Sequence, residues 1–259
     1  MWTLAFAIYA GCKWLTWWSD RSRACRPAWR SVAYLLAWPG MDAEAFLDAT
    51  VHVLRPPLRS WLFAFAETSL GTVLLWVVAR SVPESHPLLR GWTGMVGAIL
   101  LLHFGVFQMV ALFWQARGVN AQAIMAAPLR SASLSEFWGK RWNLGFHQLA
   151  HDWIFAPLHR RLGTFVAGWL VFAVSGLVHD LVISLPAHAG YGLPTAYFLL
   201  QGAGVALERS SFGKRLGLRR GWRGWLFMAA CTAGPAFLLF HPAFVMQVIL
   251  PFMEAIRAL

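Results

Sequence analysis

Between Thr164 and Pro186 the chain reads TFVAGWLVFAVSGLVHDLVISLP, an apolar run of 23 residues with a histidine and an aspartate inside it. A stretch of this length crosses a hydrocarbon core, which takes about 20 residues as a helix. Ionisable groups at that depth are costly, so they face a bundle interior or a cavity rather than lipid. Ser175 and His179 stand four apart, as do Asp180 and Ser184, so each pair shares a helix face. Two readings follow. His179 and Asp180 either work chemically in a cavity or hold helices together by hydrogen bonds.

The rest of the chain follows the same logic. Of its 259 residues, 58% are hydrophobic and 13% are charged. Long apolar runs alternate with basic connectors, the pattern of an all-α polytopic transmembrane bundle and not of a barrel. Trp2–Trp18 forms a first run, interrupted by Lys13. Trp61–Ala79 (with Glu67), Trp92–Trp114 (with His103 and Gln108) and Tyr191–Leu207 are further spans. Ser31–Pro39 is too short to cross and reads as re-entrant or interfacial. Trp222–Leu250, broken by Pro235 and Pro242, is one kinked helix or a tight pair. About six to eight spans result, in a single domain covering 1–259. With the 115–163 connector in the cytoplasm, the segments 19–60, 115–163 and 208–223 hold 18 of the 22 Lys and Arg. The positive-inside rule then places the N-terminus outside. A net charge of +11 is thereby explained by topology, and no nucleic-acid motif accompanies it. Met1–Tyr9 carries no basic n-region, so no cleaved signal is expected. Cys12, Cys25 and Cys231 are scattered and suggest neither disulfides nor a metal site.

Upstream of the His-Asp span lies SLSEFWGKRWNLGFHQLAHDWIFAPL, 133–158. Ser133 and Glu136 have capping-box spacing, so a helix is expected to start there. On a helical wheel Trp138, Trp142, Phe146, Leu149 and Trp153 share one arc. Lys140, Arg141, Asn143, His147, Gln148, His151 and Asp152 share the other. Such an amphipathic helix suits a membrane interface, with Pro157 ending or limiting it. The chemistry these groups allow is acid–base work in a dry site. A buried neutral histidine accepts a proton from a hydroxyl, and an amide such as Asn143 stabilises a developing oxyanion. Lys140, Arg141, Arg160 and Arg161 are cations suited to a phosphorylated donor, or simply to topology. His147 and His151 have the spacing of two metal ligands on one helix face. A metal site needs three or four ligands, so this box alone assigns no metal, and a metal-dependent lipid oxidase is the rival reading.

FWGKRWN (137–143) followed by SGLVHD (175–180), with AWPGMDAEAF (37–46) upstream and FLLQGAGVALE (198–208) downstream, resembles the membrane-bound O-acyltransferase superfamily, and within it the wax-synthase-like branch. The resemblance implies a reaction chamber between membrane helices and acyl transfer from acyl-CoA, as co-substrate, to the hydroxyl of a lipophilic alcohol. No further cofactor is implied. It also implies His179 as the catalytic base and Asn143 as its partner, with Trp138, Lys140, Arg141, Trp142 and Asp180 expected around the substrates. Asp180 stands where the branch usually has Glu, and Gln201 where it often has His. Another hydroxyl acceptor (a terpenoid, polyketide or glycan) and a non-catalytic lipid-binding protein are the alternatives.

Overall fold

The structure, a computed structural model, describes residues 2–20 and 27–259. Arg21, Arg23, Cys25 and Arg26 of the first basic connector lie outside the described residues. The regular structure in those residues is helical throughout.

The N-terminal helix α1 (Trp2–Asp20) carries Lys13 in its middle, where an unpaired ammonium would be costly. Lys13 is 2% exposed. Its Nζ lies 3.3 Å from the centre of the Tyr34 ring and donates to the Gly40 carbonyl. The Tyr34 hydroxyl is 2.7 Å from Thr16 Oγ1. Helices α2 (Ala28–Ala37) and α3 (Ala43–Leu47) thus close over a polar stitch, with Tyr34, Trp38, Phe46 and Leu47 packed around it. At ten residues α2 is too short to cross a membrane, as expected for this segment. Asp42 caps α3 by accepting from the Ala45 N–H at 2.9 Å.

Helices α4 (Leu58–Ser81) and α5 (Pro87–Ala116) form an antiparallel hairpin whose close crossing depends on small residues. A Cβ added at Gly97 would stand 2.8 Å from the Leu75 backbone nitrogen. Leu62, Phe63, Phe65, Leu70 and Val73 point outward and exposed, as lipid-facing side chains do. A short helical stretch α6 (134–141) leads to α7 (Leu144–Ala187), α8 (Leu193–Arg209) and α9 (Ser211–Leu216). The C-terminal run is a bent pair, α10 (Gly221–Leu239) and α11 (Pro242–Ala255), with 61° between them. The bend falls between Pro235 and Pro242, where the sequence predicts a break. His241 Nδ1 caps the second member by accepting from the Phe244 N–H at 3.2 Å.

Among the described residues, α4, α5 and α7 are long and apolar enough to cross a membrane, and the bent pair makes a fourth if it counts as one span. Helices of this length and apolar composition make the chain an integral membrane protein. Helices α1 and α8, read from sequence as spans, form but fall outside that set, α8 at 17 residues.

Two local expectations are corrected. The 133–158 stretch is not one amphipathic helix. It turns through π-helical residues Phe137–Arg141, becomes extended at Trp142 and left-handed at Asn143 (φ 45°, ψ 57°), and restarts at Leu144. The loop before it takes the hydrogen bonds a continuous helix would use. Ala126 N–H donates to the Arg141 carbonyl at 2.8 Å and Leu144 N–H to the Ile124 carbonyl at 2.9 Å. Asparagine is one of the few residues that tolerates the left-handed turn. Nor does Pro157 end the helix. It follows a π-helical turn, His151–Phe155, in which the Ala156 N–H reaches back to the His151 carbonyl, and a π turn of this kind accommodates a proline that donates no N–H. The break comes instead at Gly163 (φ 78°, ψ 167°), a conformation that favours glycine.

Candidate active site

The break at Asn143 turns the second half of the 133–158 stretch relative to the first. As a result, residues from both arcs of the wheel meet at one cavity of about 330 Å³. Its walls include Trp138, Trp142, Asn143, Phe146, His147 and His151 from this stretch. The facing wall is one side of α7: Thr164, Gly168, Val171, Phe172, Ser175 and His179, spaced by three or four residues. Phe198, Val205 and Arg209, seven and four apart on α8, close the third side. The cavity is therefore mainly aromatic and aliphatic with a few convergent polar groups, as expected for a small-molecule site.

His179 and Asn143, 36 residues apart in sequence, line this same cavity. His179 Nδ1 lies 2.7 Å from the Ser175 carbonyl oxygen. A carbonyl only accepts, so Nδ1 carries the proton and Nε2 keeps its lone pair. The imidazole also packs against Phe198, with ring centres 4.4 Å apart. The backbone contact fixes the tautomer, and the aromatic packing holds the ring in place. Asn143 is held by its backbone: its N–H approaches Met125 Sδ at 3.3 Å and its carbonyl accepts from His147 N–H at 3.0 Å. Its side-chain amide makes no hydrogen bond within the described residues.

The other sequence-predicted residues divide. Trp138 and Trp142 line the cavity, and Trp142 stacks on Phe137 with ring centres 5.3 Å apart. Lys140 does not. It is exposed and faces a neighbouring cavity of about 320 Å³ shared with Trp38, Asp42 and Gln148. Arg141 is committed to Glu136, with Nη2–Oε1 at 2.7 Å, and to the Ala126 carbonyl at 3.1 Å. Asp180 also lies off the cavity. Its two oxygens accept from Ser184 Oγ (2.9 Å), Gly192 N–H (2.8 Å), Thr195 N–H (3.1 Å) and the Thr195 hydroxyl. It supplies from α7 the N-terminal cap that α8 lacks, since Gly192 has no side chain to offer. Next to it a Cβ at Gly176 would stand 2.6 Å from Thr195 Cα, so the two helices meet at the closest approach glycine allows.

Arg209 is the residue the sequence reading passed over. It lines the cavity, and its Nε donates to Ser135 Oγ at 3.3 Å. In sequence it is one of six cations in a basic connector, but its place three turns from Phe198 on α8 marks it as sharing that face. Glu208 beside it is fully buried and caps α6, accepting from Leu134 N–H at 2.6 Å and Ser135 N–H at 3.2 Å. Ser133 Oγ accepts from Glu136 N–H at 3.0 Å, as the capping spacing predicts. Glu136 carries its own stabilised charge. The Ala132 N–H first, and then Arg141, hold its carboxyl below the usual carboxylate range. His147 and His151 also line the cavity, and His151 Nδ1 lies 2.9 Å from Asp152 Oδ1. No group of three or more His, Cys, Asp or Glu among the described residues is arranged to hold a metal ion.

These elements coincide with a known sequence family. Residues 121–200, which contain Asn143, the π turns and His179, match the Membrane bound O-acyl transferase family. Three proteins of Arabidopsis thaliana are similar over longer stretches. Probable long-chain-alcohol O-fatty-acyltransferase 3 is 31% identical over 132 residues, covering 46% of this chain and 37% of that protein. Probable long-chain-alcohol O-fatty-acyltransferase 8 is 30% identical over 164 residues, 59% of this chain and 48% of that protein. Probable long-chain-alcohol O-fatty-acyltransferase 1 is 30% identical over 177 residues, 62% and 49%. The matched stretch spans less than half the length of each relative. Over the 121–200 segment that builds much of the cavity, the chain is similar to the Membrane bound O-acyl transferase family.

Proposed function

We propose that the protein is an O-acyltransferase that moves a fatty acyl group from acyl-CoA to the hydroxyl of a lipophilic, long-chain alcohol. The observation that carries this reading is the meeting of His179 and Asn143 in one apolar cavity, with Nε2 free to accept a proton and the Asn143 amide free to donate. The alcohol O–H gives its proton to His179 Nε2 as the oxygen attacks the thioester carbonyl. The Asn143 N–H donates to the oxyanion that forms. When the intermediate collapses, the C–S bond breaks and the imidazolium returns the proton to the thiolate. Ester and free CoA leave, and the base is restored. The names of the similar proteins and the aromatic walls both favour a long-chain alcohol over a sugar hydroxyl.

Arg209 is the cation best placed to meet a phosphorylated donor at this cavity, a role in which it replaces Lys140 and Arg141. Counting α1, α4, α5, α7, α8 and the bent α10–α11 pair as crossings gives six spans in one membrane domain, 1–259. The connectors around 19–60, 117–163 and 208–223 then lie on the cytoplasmic side and the N-terminus outside, so acyl-CoA reaches the cavity from the side of Arg209.

The test is esterification in membranes with labelled palmitoyl-CoA and a panel of fatty, terpenoid and aromatic alcohols. Wild type and His179→Ala are compared at matched expression. Fatty-alcohol ester that disappears with His179→Ala is the expected result. Turnover that survives the substitution removes His179 as base, and ester formed only with a different acceptor moves the substrate class.

A further inference from the structure

Gln201 is fully buried on α8, and both ends of its carboxamide are taken. Nε2–H donates to the Cys231 carbonyl at 2.8 Å, and Oε1 accepts the indole N–H of Trp138 at 3.3 Å. Neither partner can exchange roles, since a carbonyl only accepts and an indole N–H only donates. A flipped amide would lose both bonds inside a buried site, so the amide has one orientation and the indole one place. Gln201 does not reach the cavity. Trp138 does, and it leans on Phe198 at 5.7 Å and meets Phe172 edge-on at 6.2 Å between ring centres. Phe198 in turn packs on His179. The locked indole thus stands one ring away from the imidazole. The cavity it bounds, about 330 Å³, is near the small end of ligand sites, which run from about 300 to 1,000 Å³.

We propose that Gln201 is a specificity-determining positioning residue: by locking Trp138 it sets how far a linear alkyl chain extends beside His179. Which chain this is, acyl or alcohol, rests on the acyltransferase reading. The wall itself is a binding property and is tested separately. A neutral histidine at 201 would supply one donor and one acceptor and keep the lock, whereas leucine would supply neither.

The experiment uses the full chain in lipid nanodiscs as wild type, Gln201→Leu, Gln201→His and Trp138→Phe, each with its thermal midpoint recorded. Straight-chain alcohols from octanol to eicosanol compete with a fluorescent fatty alcohol. Each methylene that gains burial should tighten binding about fourfold, until the chain meets the wall and the gain stops. Gln201→Leu and Trp138→Phe should move that stop to longer chains, and Gln201→His should leave it at the wild-type length. An unchanged stop in folded Gln201→Leu and Trp138→Phe overturns the proposal. In parallel, ester yield is profiled with acyl length varied at fixed alcohol and with alcohol length varied at fixed acyl, and the series in which the optimum moves identifies the chain. If the stop moves in binding while wild type makes no ester, the wall stands and the acyltransferase reading falls.

Discussion

On the His179 side of the α7–α8 contact, polar groups keep atoms in reserve, while one residue later, on the Asp180 side, every polar atom is used. His179 spends Nδ1 on the Ser175 carbonyl and keeps Nε2, and Asn143 across the cavity keeps its whole amide. Asp180 spends both oxygens on Ser184, Gly192 and Thr195. Ser184 Oγ, whose one proton is shared between two acceptors, also lies 3.1 Å from the Gly190 carbonyl oxygen and 3.4 Å from His241 Nε2. The two regions share a helix and a polar character, and differ in whether a partner is left to be supplied. Unspent hydrogen-bonding capacity beside a cavity is what a substrate can use. A saturated network fixes helix against helix and leaves nothing for a ligand.

Substitutions at the two neighbours should therefore separate turnover from stability. His179→Gln should lower ester formation about a thousandfold, the scale of general-base catalysis, with little change in thermal midpoint. Asp180→Asn puts an NH₂ against the Thr195 donors or the Gly192 N–H, and should cost about 3 kcal/mol of stability through lost charge-assisted hydrogen bonds. Specific activity of the molecules that remain folded should fall far less than in His179→Gln. Midpoints and turnover measured on the same preparations decide it. If Asp180→Asn loses turnover as deeply as His179→Gln while staying folded, the contrast between the two sides collapses.

Asn143 sharpens the comparison because it has both kinds of role. Its left-handed backbone is structural and its amide is proposed to be chemical. Asn143→Ala disturbs both, since alanine resists φ near 45°. Asn143→Gly relieves the backbone and removes only the amide. Loss of one oxyanion donor is worth about a hundredfold in turnover, so Asn143→Gly should remain about a hundredfold below wild type with restored thermal stability. Recovery of activity in Asn143→Gly would make the residue a turn former alone. Arg209→Gln is the next smaller effect. It should raise KM for acyl-CoA about tenfold with kcat nearly constant, and flatten the salt dependence of KM. A KM that responds to Lys140→Gln instead would move the donor to the neighbouring cavity.

The spans α4, α5 and α7, the break between Pro235 and Pro242 and the helix start at Ser133 could be read from residue spacing, and the family resemblance singled out Asn143 and His179, which line one cavity. What spacing could not supply was the path of 133–158. A wheel assumes unbroken helical rotation, and the hydrogen bonds that stop it come from Ile124 and Ala126, in a loop with no periodicity of its own. Once the turn at Asn143 is known, the mixing of the two arcs around one cavity follows. Asp180 misled for a related reason. An aspartate at membrane depth signals a polar environment, and the sequence does not say whether a ligand or a neighbouring helix end provides it. The resemblance marks Gln201 without giving its role, and Arg209 went unmarked, because their partners, Trp138, Cys231 and Ser135, come from other elements.

The smallest effect expected is at Glu136, which belongs to the saturated class although it sits beside the cavity-forming stretch. Its oxygens accept from Ala132 N–H at 2.8 Å and from Arg141 Nε at 2.7 Å, holding the preceding loop to the π turn that carries Trp138. These contacts hold the folded carboxyl below its ordinary value, so the unfolded chain takes up the proton first. The stabilisation is therefore complete above the ordinary carboxylate pKa, about 4.3, and is lost as pH falls through the lower folded value. Glu136→Gln should cost about 1 kcal/mol at neutral pH, since the pair is partly solvated. The gap in thermal midpoint between wild type and Glu136→Gln should close on acidification below that range. A gap that persists at low pH would mean the carboxylate charge is not what ties the loop to the turn, and that Glu136 contributes by shape or by a neutral hydrogen bond.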